Sequence, residues 1–126
     1  MESVMTKQTL ESALQTFGDE ALLLTVGDSG PHTCTVSVEL IDRTITCIPS
    51  QTSAGNIKTQ PNISLVWPAI ESGGYAIIAN GVTVLEADEA GFSRATIQLT
   101  KSVFHRAGPR PEGREGPCSS DCLELV

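Results

Sequence analysis

The sequence predicts a single α+β domain built around a small, mostly antiparallel β-barrel, closed or half closed, with a short N-terminal helix. Two observations carry this prediction. Short apolar strand patterns recur at intervals of about 8–12 residues, which is typical of small barrels. The chain also has 126 residues, of which 40% are hydrophobic and 4% aromatic. A domain of this size can bury a core, and that core must be largely aliphatic.

The first element is a helix over residues 6–17, "TKQTLESALQTF". Its apolar side chains recur at the i, i+3, i+4 and i+7 positions that form one buried helix face: Leu10, Ala13, Leu14 and Phe17. Thr6 is suited to cap the start of this helix, and Gly18 is suited to the left-handed residue that ends it. The pattern therefore predicts one amphipathic helix ahead of the barrel.

Three strands are expected next, as an antiparallel meander: "EALLLTV" (20–26), "PHTCTVSVELI" (31–41) and "TITCI" (44–48). The turn "GDSG" (27–30) joins the first two, and residues 42–43 join the second to the third. The middle strand alternates, with one set of side chains on a single face: Cys34, Val36, Val38 and Leu40. A strand that alternates in this way is half buried.

The second half of the chain predicts a strand at 63–67, a long strand at 75–86, a helix at 87–99 and a short last strand at 100–106. Asn80-Gly81 usually indicates a hairpin turn. Apolar residues continue on both sides of this pair, so we expect a glycine bulge within one long strand instead.

From residue 107 onward the chain is rich in proline and glycine and has no periodicity, which predicts a flexible or extended tail over 107–126. Only "CLELV" (122–126) is suited to dock as an added strand. The expected domain therefore spans residues 1–106.

Charge and composition restrict the partners. The net charge of −7 repels nucleic-acid phosphates and anionic lipid, so neither nucleic acid nor a membrane is expected as a partner. The longest apolar run, "ALLLTV" (21–26), is far shorter than the roughly 20 residues of a membrane span. The N-terminus shows no secretory signal. Cys34 and Cys47 lie in strand patterns, where reduced cysteine packs as a small hydrophobe. A cytoplasmic protein is expected.

A polar segment, residues 50–63, lies between two apolar strands. Ser53 is suited to cap a short helix over 54–60 that ends at Pro61. This arrangement would gather neutral donors for a phosphate, with N–H groups of Ala54, Gly55 and Asn56 and hydroxyls of Ser50, Thr52 and Ser53. Lys58 adds one positive charge. On residue types alone, a polar connector whose hydroxyls only cap a helix is the favoured alternative.

The order of these segments resembles the pyridoxamine 5′-phosphate oxidase-like split barrels that bind flavin mononucleotide (FMN), especially the short single-domain members. The matching segments fall between about residue 14 and residue 86. They are "DSGPH", "GNIKTQPNISLVW" and "IIANGVTV". Each segment alone is a weak signal, whereas their order and spacing together are moderately specific.

This resemblance implies an FMN-dependent oxidoreductase that acts on a small-molecule substrate, with no catalytic side chain assigned. The residues implied at the FMN phosphate are Ser50, Thr52, Ser53, Asn56 and Lys58. Those implied beside the flavin ring lie on the second strand: Val36, Ser37, Val38 and Glu39. The family builds this site at a homodimer interface, so the region around the partner's Trp67 would help to close it.

The chain departs from the family pattern just before Asn56. Ser53, Ala54 and Gly55 stand where family members usually carry an arginine or lysine. Charge-assisted hydrogen bonds are roughly twice as strong as neutral ones. The cations that would compensate are Lys58, Arg43, Arg94 and Arg106. A deazaflavin-dependent reductase and a non-catalytic barrel without a cofactor therefore stay open as alternatives.

The remaining candidates for chemistry are few. His32 and His105 are the only histidines, and no G-x-S-x-G elbow is present. His32 is expected to be exposed at a strand start, and His105 to occupy a polar position on an edge strand. For "CSSDC" (118–122) an inert tail is favoured over a thiol pair or a zinc site with His105 or Asp121, so no metal is expected. Trp67 is expected to anchor the core or the dimer interface.

Overall fold

The computed structural model of the protein describes residues 9–87, 89, 91, 93–109 and 120–125. Within these residues it has two helices and eight strands. The helices are α1 (Leu10–Phe17) and α2 (Gln51–Thr59); the strands are β1 (Glu20–Gly27), β2 (Gly30–Ser37), β3 (Glu39–Ile41), β4 (Thr44–Cys47), β5 (Asn62–Trp67), β6 (Ala76–Ala87), β7 (Ser93–Pro109) and β8 (Ser120–Leu125). No helix of the described part is long and apolar enough to cross a bilayer.

Helix α1 confirms the predicted N-terminal helix but starts later. Thr9 is the N-cap, with extended backbone angles, and its Oγ1 accepts a hydrogen bond from the Ser12 backbone N–H at 3.0 Å. The predicted start at residue 6 is therefore wrong, and Thr6 itself lies outside the described residues. Gly18 ends the helix at φ 88°, as predicted.

The sheet order shows how the barrel closes. The strands run β2-β1-β5-β6-β7-β4-β3, with β8 added on β7. The two ends of this order, β2 and β3, are separated along the chain by Val38 alone, so one bent strand belongs to both edges. The backbone N–H of Val38 donates to Asp19 O at 2.8 Å at this bend. The α+β barrel is confirmed. The predicted middle strand pairs antiparallel with the first and the third strand, as expected, but it breaks at Val38 into β2 and β3, so residues 20–47 form two hairpins.

The glycine bulge in β6 is confirmed. The register between β6 and β7 shifts between Asn80 and Gly81, and both flanks of the strand stay paired. A Cβ atom on Gly81 would lie 2.6 Å from Ile97 Cγ2 and 2.7 Å from the Gln98 carbonyl oxygen. The sheet backbone therefore approaches this residue too closely for any side chain.

Strand β7 replaces the helix predicted over 87–99 and absorbs the short strand predicted over 100–106. It runs from Ser93 to Pro109. Ala95, Ile97 and Leu99 are buried in alternation, so "RATIQL" had the period of a strand. The acidic residues that precede β7 are typical of the first turn of a helix, which is why a helix was predicted there. Residues 88, 90 and 92 lie outside the described part.

Strand β8 (Ser120–Leu125) places on the sheet most of the "CLELV" segment, which the sequence marked as suited to dock; residue 126 lies outside the described part. It pairs antiparallel with β7, and Leu125 is 7% exposed. The domain boundary at residue 106 stays a prediction, because residues 110–119 lie outside the described part.

The core is aliphatic around one tryptophan. Trp67 is 1% exposed, which confirms its predicted place in the core. The other largest buried apolar side chains come from strands on all sides of the barrel: Leu23, Ile45, Leu65, Ile77 and Ile97. Helix α2 adds Ile57 to the same cluster. The core thus holds α2 against the barrel, and this contact positions the polar segment.

Candidate functional site

Helix α2 begins earlier than the sequence predicts. Ser50 is the N-cap, and its Oγ accepts the Ser53 backbone N–H at 3.1 Å. The predicted cap at Ser53 is therefore wrong. The Ala54 backbone N–H donates to Ser50 O at 2.8 Å within the helix. The N–H groups of the first turn belong to Gln51, Thr52 and Ser53, not to the predicted set that starts at Ala54.

One face of α2 lies against the barrel. Ser53 is 0% exposed, and its Oγ lies 3.2 Å from Cys34 Sγ on β2. The Asn56 amide nitrogen donates to Thr25 Oγ1 on β1 at 3.0 Å. Ile57 is buried beside them. These polar side chains therefore attach the helix to two strands.

The opposite face of α2 lines a hollow of about 260 Å³. Its lining residues come from the end of β4, from α2 and from the β6–β7 connection: Ile48, Pro49, Ser50, Gln51, Ala54, Gly55, Lys58, Gly91 and Ser93. Gln51, Gly55 and Lys58 share a face because they are three to four residues apart on a helix. Nothing lies within 4 Å of the position that a Cβ atom on Gly55 would take, so there is open space beside this residue.

A second hollow, of about 220 Å³, shares the lining residue Ile48 with the first. Its lining residues come from the bend between β2 and β3, from β4 and from β7: Ser37, Val38, Glu39, Thr46, Cys47, Ile48 and Arg94. Ile48 lines both hollows. We call the two together the groove. Each hollow alone is smaller than the typical ligand pocket of about 300–1,000 Å³.

Positive charge distinguishes the groove from the larger hollows. Lys58 lines its first hollow, and Arg94 its second. A hollow of about 440 Å³ beside α1 is lined by Glu11 and Asp19 and by no basic side chain. Another, of about 430 Å³ near the β6 bulge, has no charged side chain in its lining. Glu39 lines the same hollow as Arg94, so the two basic side chains of the groove lie beside one acidic side chain in a chain of net charge −7.

The thiol in the groove is unreactive at neutral pH. Burial, together with the neighbouring Cys34, raises the pKa of the Cys47 thiol to about 11. Since the thiolate is the nucleophilic form, Cys47 is not suited to covalent catalysis.

The predicted site residues divide into two groups. Ser37, Val38, Ser50 and Lys58 line the groove. Val36 and Ser53 are buried, and Asn56 faces β1; Thr52 is exposed on the first turn of α2. The sequence named Arg94 only as a compensating cation, because a residue predicted in a helix could not be placed beside β4.

The two histidines lie apart from the groove lining. His32 is half-buried on β2, opposite Thr25, which is less exposed than predicted. His105 is half-buried on β7. Among the described residues, no group of three or more histidine, cysteine, aspartate or glutamate side chains is placed to hold a metal ion.

No family model and no curated protein matches this sequence, but solved structures do. A Listeria innocua protein assigned by name to the pyridoxamine 5′-phosphate oxidases has a TM-score of 0.62 and 14% identity, over 75% of this chain and 97% of its own. A Clostridium acetobutylicum protein of the pyridoxinephosphate oxidase family, related to general stress protein 26, has a TM-score of 0.62 and 11% identity, over 76% and 85%.

A third similar structure is the FAD binding protein from Mycobacterium smegmatis, with a TM-score of 0.54 and 14% identity over 77% of this chain and 93% of its own. At identities this low, the structural likeness establishes a shared fold alone. The resemblance predicted from the sequence is thus confirmed for the architecture: this chain has the fold of the pyridoxamine 5′-phosphate oxidase-like split barrels.

Proposed function

We propose that the groove binds FMN and that the protein is an oxidoreductase acting on a small molecule. The observation that supports this most is that Lys58 and the first turn of α2 line one hollow, and that this hollow shares Ile48 with a second one lined by the β2–β3 bend and Arg94. This layout offers one end for the phosphate of FMN and another for its flavin ring. The fold shared with pyridoxamine 5′-phosphate oxidase-like proteins, and with one that binds FAD, supports the same proposal.

The phosphate would lie at the α2 end. The N–H groups of Gln51 and Thr52 precede the first intrahelical hydrogen bond, so they are available to an anion. No acidic residue lies in this first turn, so the positive end of the helix dipole is not neutralised from within the helix. Ser50 would add a hydroxyl, and Lys58, in the last turn of α2, would add a positive charge from the same hollow.

The flavin ring would lie along the β2–β3 bend. Ser37, Val38 and Glu39 form one wall, and Thr46 and Cys47 the other. A bound flavin would supply the electron transfer. The chain would bind and orient it, and we expect no protein nucleophile, since the Cys47 thiol stays protonated.

A homodimer would complete this site. The groove is shallow, and Ile48 at its centre is 49% exposed, with Ile41 on the neighbouring β3 65% exposed. Apolar side chains exposed to this extent beside a groove favour cover by a second protein surface. We propose a second copy of this chain as that cover.

The test is a fluorescence titration of the purified protein with FMN. Lys58→Ala and Arg94→Ala should each weaken binding about tenfold, since a charge-assisted bond contributes on the order of 1.4 kcal/mol. Arg43→Ala is the matched control: it also removes an exposed cation, and Arg43 does not line the groove. Equal losses in all three variants would show a bulk charge effect and contradict the assignment.

Parallel titrations with FAD and a deazaflavin coenzyme distinguish the alternatives. Tight binding of the deazaflavin coenzyme with weak binding of FMN would make the deazaflavin coenzyme the cofactor and leave the groove as its proposed site. Absence of binding of all three at high micromolar concentration would overturn the proposal and favour the non-catalytic barrel.

A further inference from the structure

His105 and Cys122 form a close pair at the C-terminal end of the sheet. They lie directly opposite each other in the antiparallel pairing of β7 and β8. His105 Nδ1 lies 3.2 Å from Cys122 Sγ. Both side chains are half-buried.

The strand geometry directs this pair away from the core. Successive side chains of a strand point to opposite faces. Phe104, next to His105, packs against the hydrophobic core, and Arg106 lies 4.5 Å above the Tyr75 ring. His105 therefore faces the other side of the sheet, where it meets Cys122. The pair is also distinct from the groove, whose lining includes neither residue.

The other described thiols have different surroundings. Cys47 is buried, and its pKa is raised to about 11. Cys34 contacts the Ser53 hydroxyl at 3.2 Å. A hydroxyl is a poor base, whereas a neutral imidazole accepts a proton readily. Among the described cysteines, Cys122 is the one beside a base.

We propose that Cys122 is a modification site for small disulfides, activated by His105. The imidazole accepts the thiol proton, and the Cys122 sulfur attacks one sulfur of the disulfide. A new sulfur–sulfur bond forms as the old one breaks. The other half leaves as a thiolate and takes up the proton from the imidazolium. The disulfide is itself the oxidant, so the exchange balances without any further reagent.

The experiment measures the rate of thiol labelling on the full chain with an aromatic disulfide that releases a coloured thiolate. A Cys118→Ser background removes the neighbouring cysteine, which lies outside the described residues. In that background Cys122→Ser should abolish the fast phase. His105→Gln should slow it about tenfold or more, because the local base is lost. His32→Gln, which removes a half-buried histidine on another strand, should leave it unchanged.

Peptide mass spectrometry should place the adduct on Cys122, and glutathione disulfide should give the same site. His105→Asn is measured beside His105→Gln, and thermal melting identifies the variants that fold. An unchanged or faster rate in the folded variants, or a first adduct on Cys34 or Cys47, would overturn the proposal.

Discussion

The two faces of α2 carry different residue types and have different surroundings. The barrel face holds Ser53, Asn56 and Ile57, all in contact with β1, β2 or the core. The groove face holds Gln51, Gly55 and Lys58, all exposed. The helical phase of a residue therefore decides whether it faces the barrel or the groove, and the neighbours Gly55 and Asn56 lie on different faces.

This difference separates stability from binding. A side chain on the barrel face replaces its contact with water by contacts within the protein, and removing it lowers the free energy of unfolding. A side chain on the groove face has solvent as its neighbour, and removing it should change ligand affinity with little effect on folding. Substitutions on the two faces test whether this separation holds.

The largest expected effect is that of Ile57→Ala on the barrel face. Ile57 is 3% exposed within the core cluster, so the truncation should lower the free energy of unfolding by about 2–5 kcal/mol. Urea denaturation followed by circular dichroism measures this loss. Lys58→Ala is the neighbouring control on the groove face, with a change expected within about 0.5 kcal/mol. Comparable losses in both variants would mean that α2 has no distinct faces.

The next effect concerns the attachment of α2 to β1. Asn56→Ala leaves the Thr25 hydroxyl, which is 1% exposed, without its amide donor, at a cost of about 1–3 kcal/mol. Gly27→Ala should cost a similar amount, because its new Cβ would lie 2.1 Å from Asn56 Oδ1 and displace that side chain.

A double-mutant cycle decides whether these two costs share one cause. With Asn56 already replaced by alanine, Gly27→Ala has room and should cost less than about 0.5 kcal/mol. Chemical denaturation of the four proteins gives the coupling energy. Additive costs would contradict the contact between the two residues.

Much of this architecture was predictable from the sequence, because short strands, turns and a bulge follow from local patterns. The alternation in "PHTCTVSVELI" predicted a half-buried strand, and the apolar residues around Asn80-Gly81 predicted the bulge. The break at Val38 was not predictable: pairing with β1 on one side and β4 on the other is a long-range property. Alternation alone cannot indicate it.

The sequence predicted which segment lines the groove, and it predicted less well which side chains of that segment face it. The segment after β4 does line a groove, but one shift of the N-cap, from Ser53 to Ser50, rotates which side chains face it. Both serines are good caps. What selects Ser50 is the packing of Ser53 and Ile57 against the barrel, which a local pattern does not contain.

Ser50→Ala is expected to affect both faces. Its hydroxyl accepts the Ser53 N–H and also lines the groove, so its loss should cost about 1 kcal/mol of stability and weaken FMN binding. Thermal unfolding and the FMN titration measure the two effects. Thr52→Ala, on the exposed first turn, is the matched loss of a hydroxyl and should leave stability within about 0.5 kcal/mol.

The smallest effect is expected from Gly55→Ala, and it has opposite signs for folding and binding. Gly55 lies inside α2 and is exposed, and a Cβ atom added there would have nothing within 4 Å. Alanine should therefore stabilise the protein by about 0.4–1 kcal/mol, because it restricts the unfolded chain and favours the helix. The same methyl group projects into the groove, so it should weaken FMN binding. A gain in stability with unchanged affinity would place the cofactor away from this face of α2.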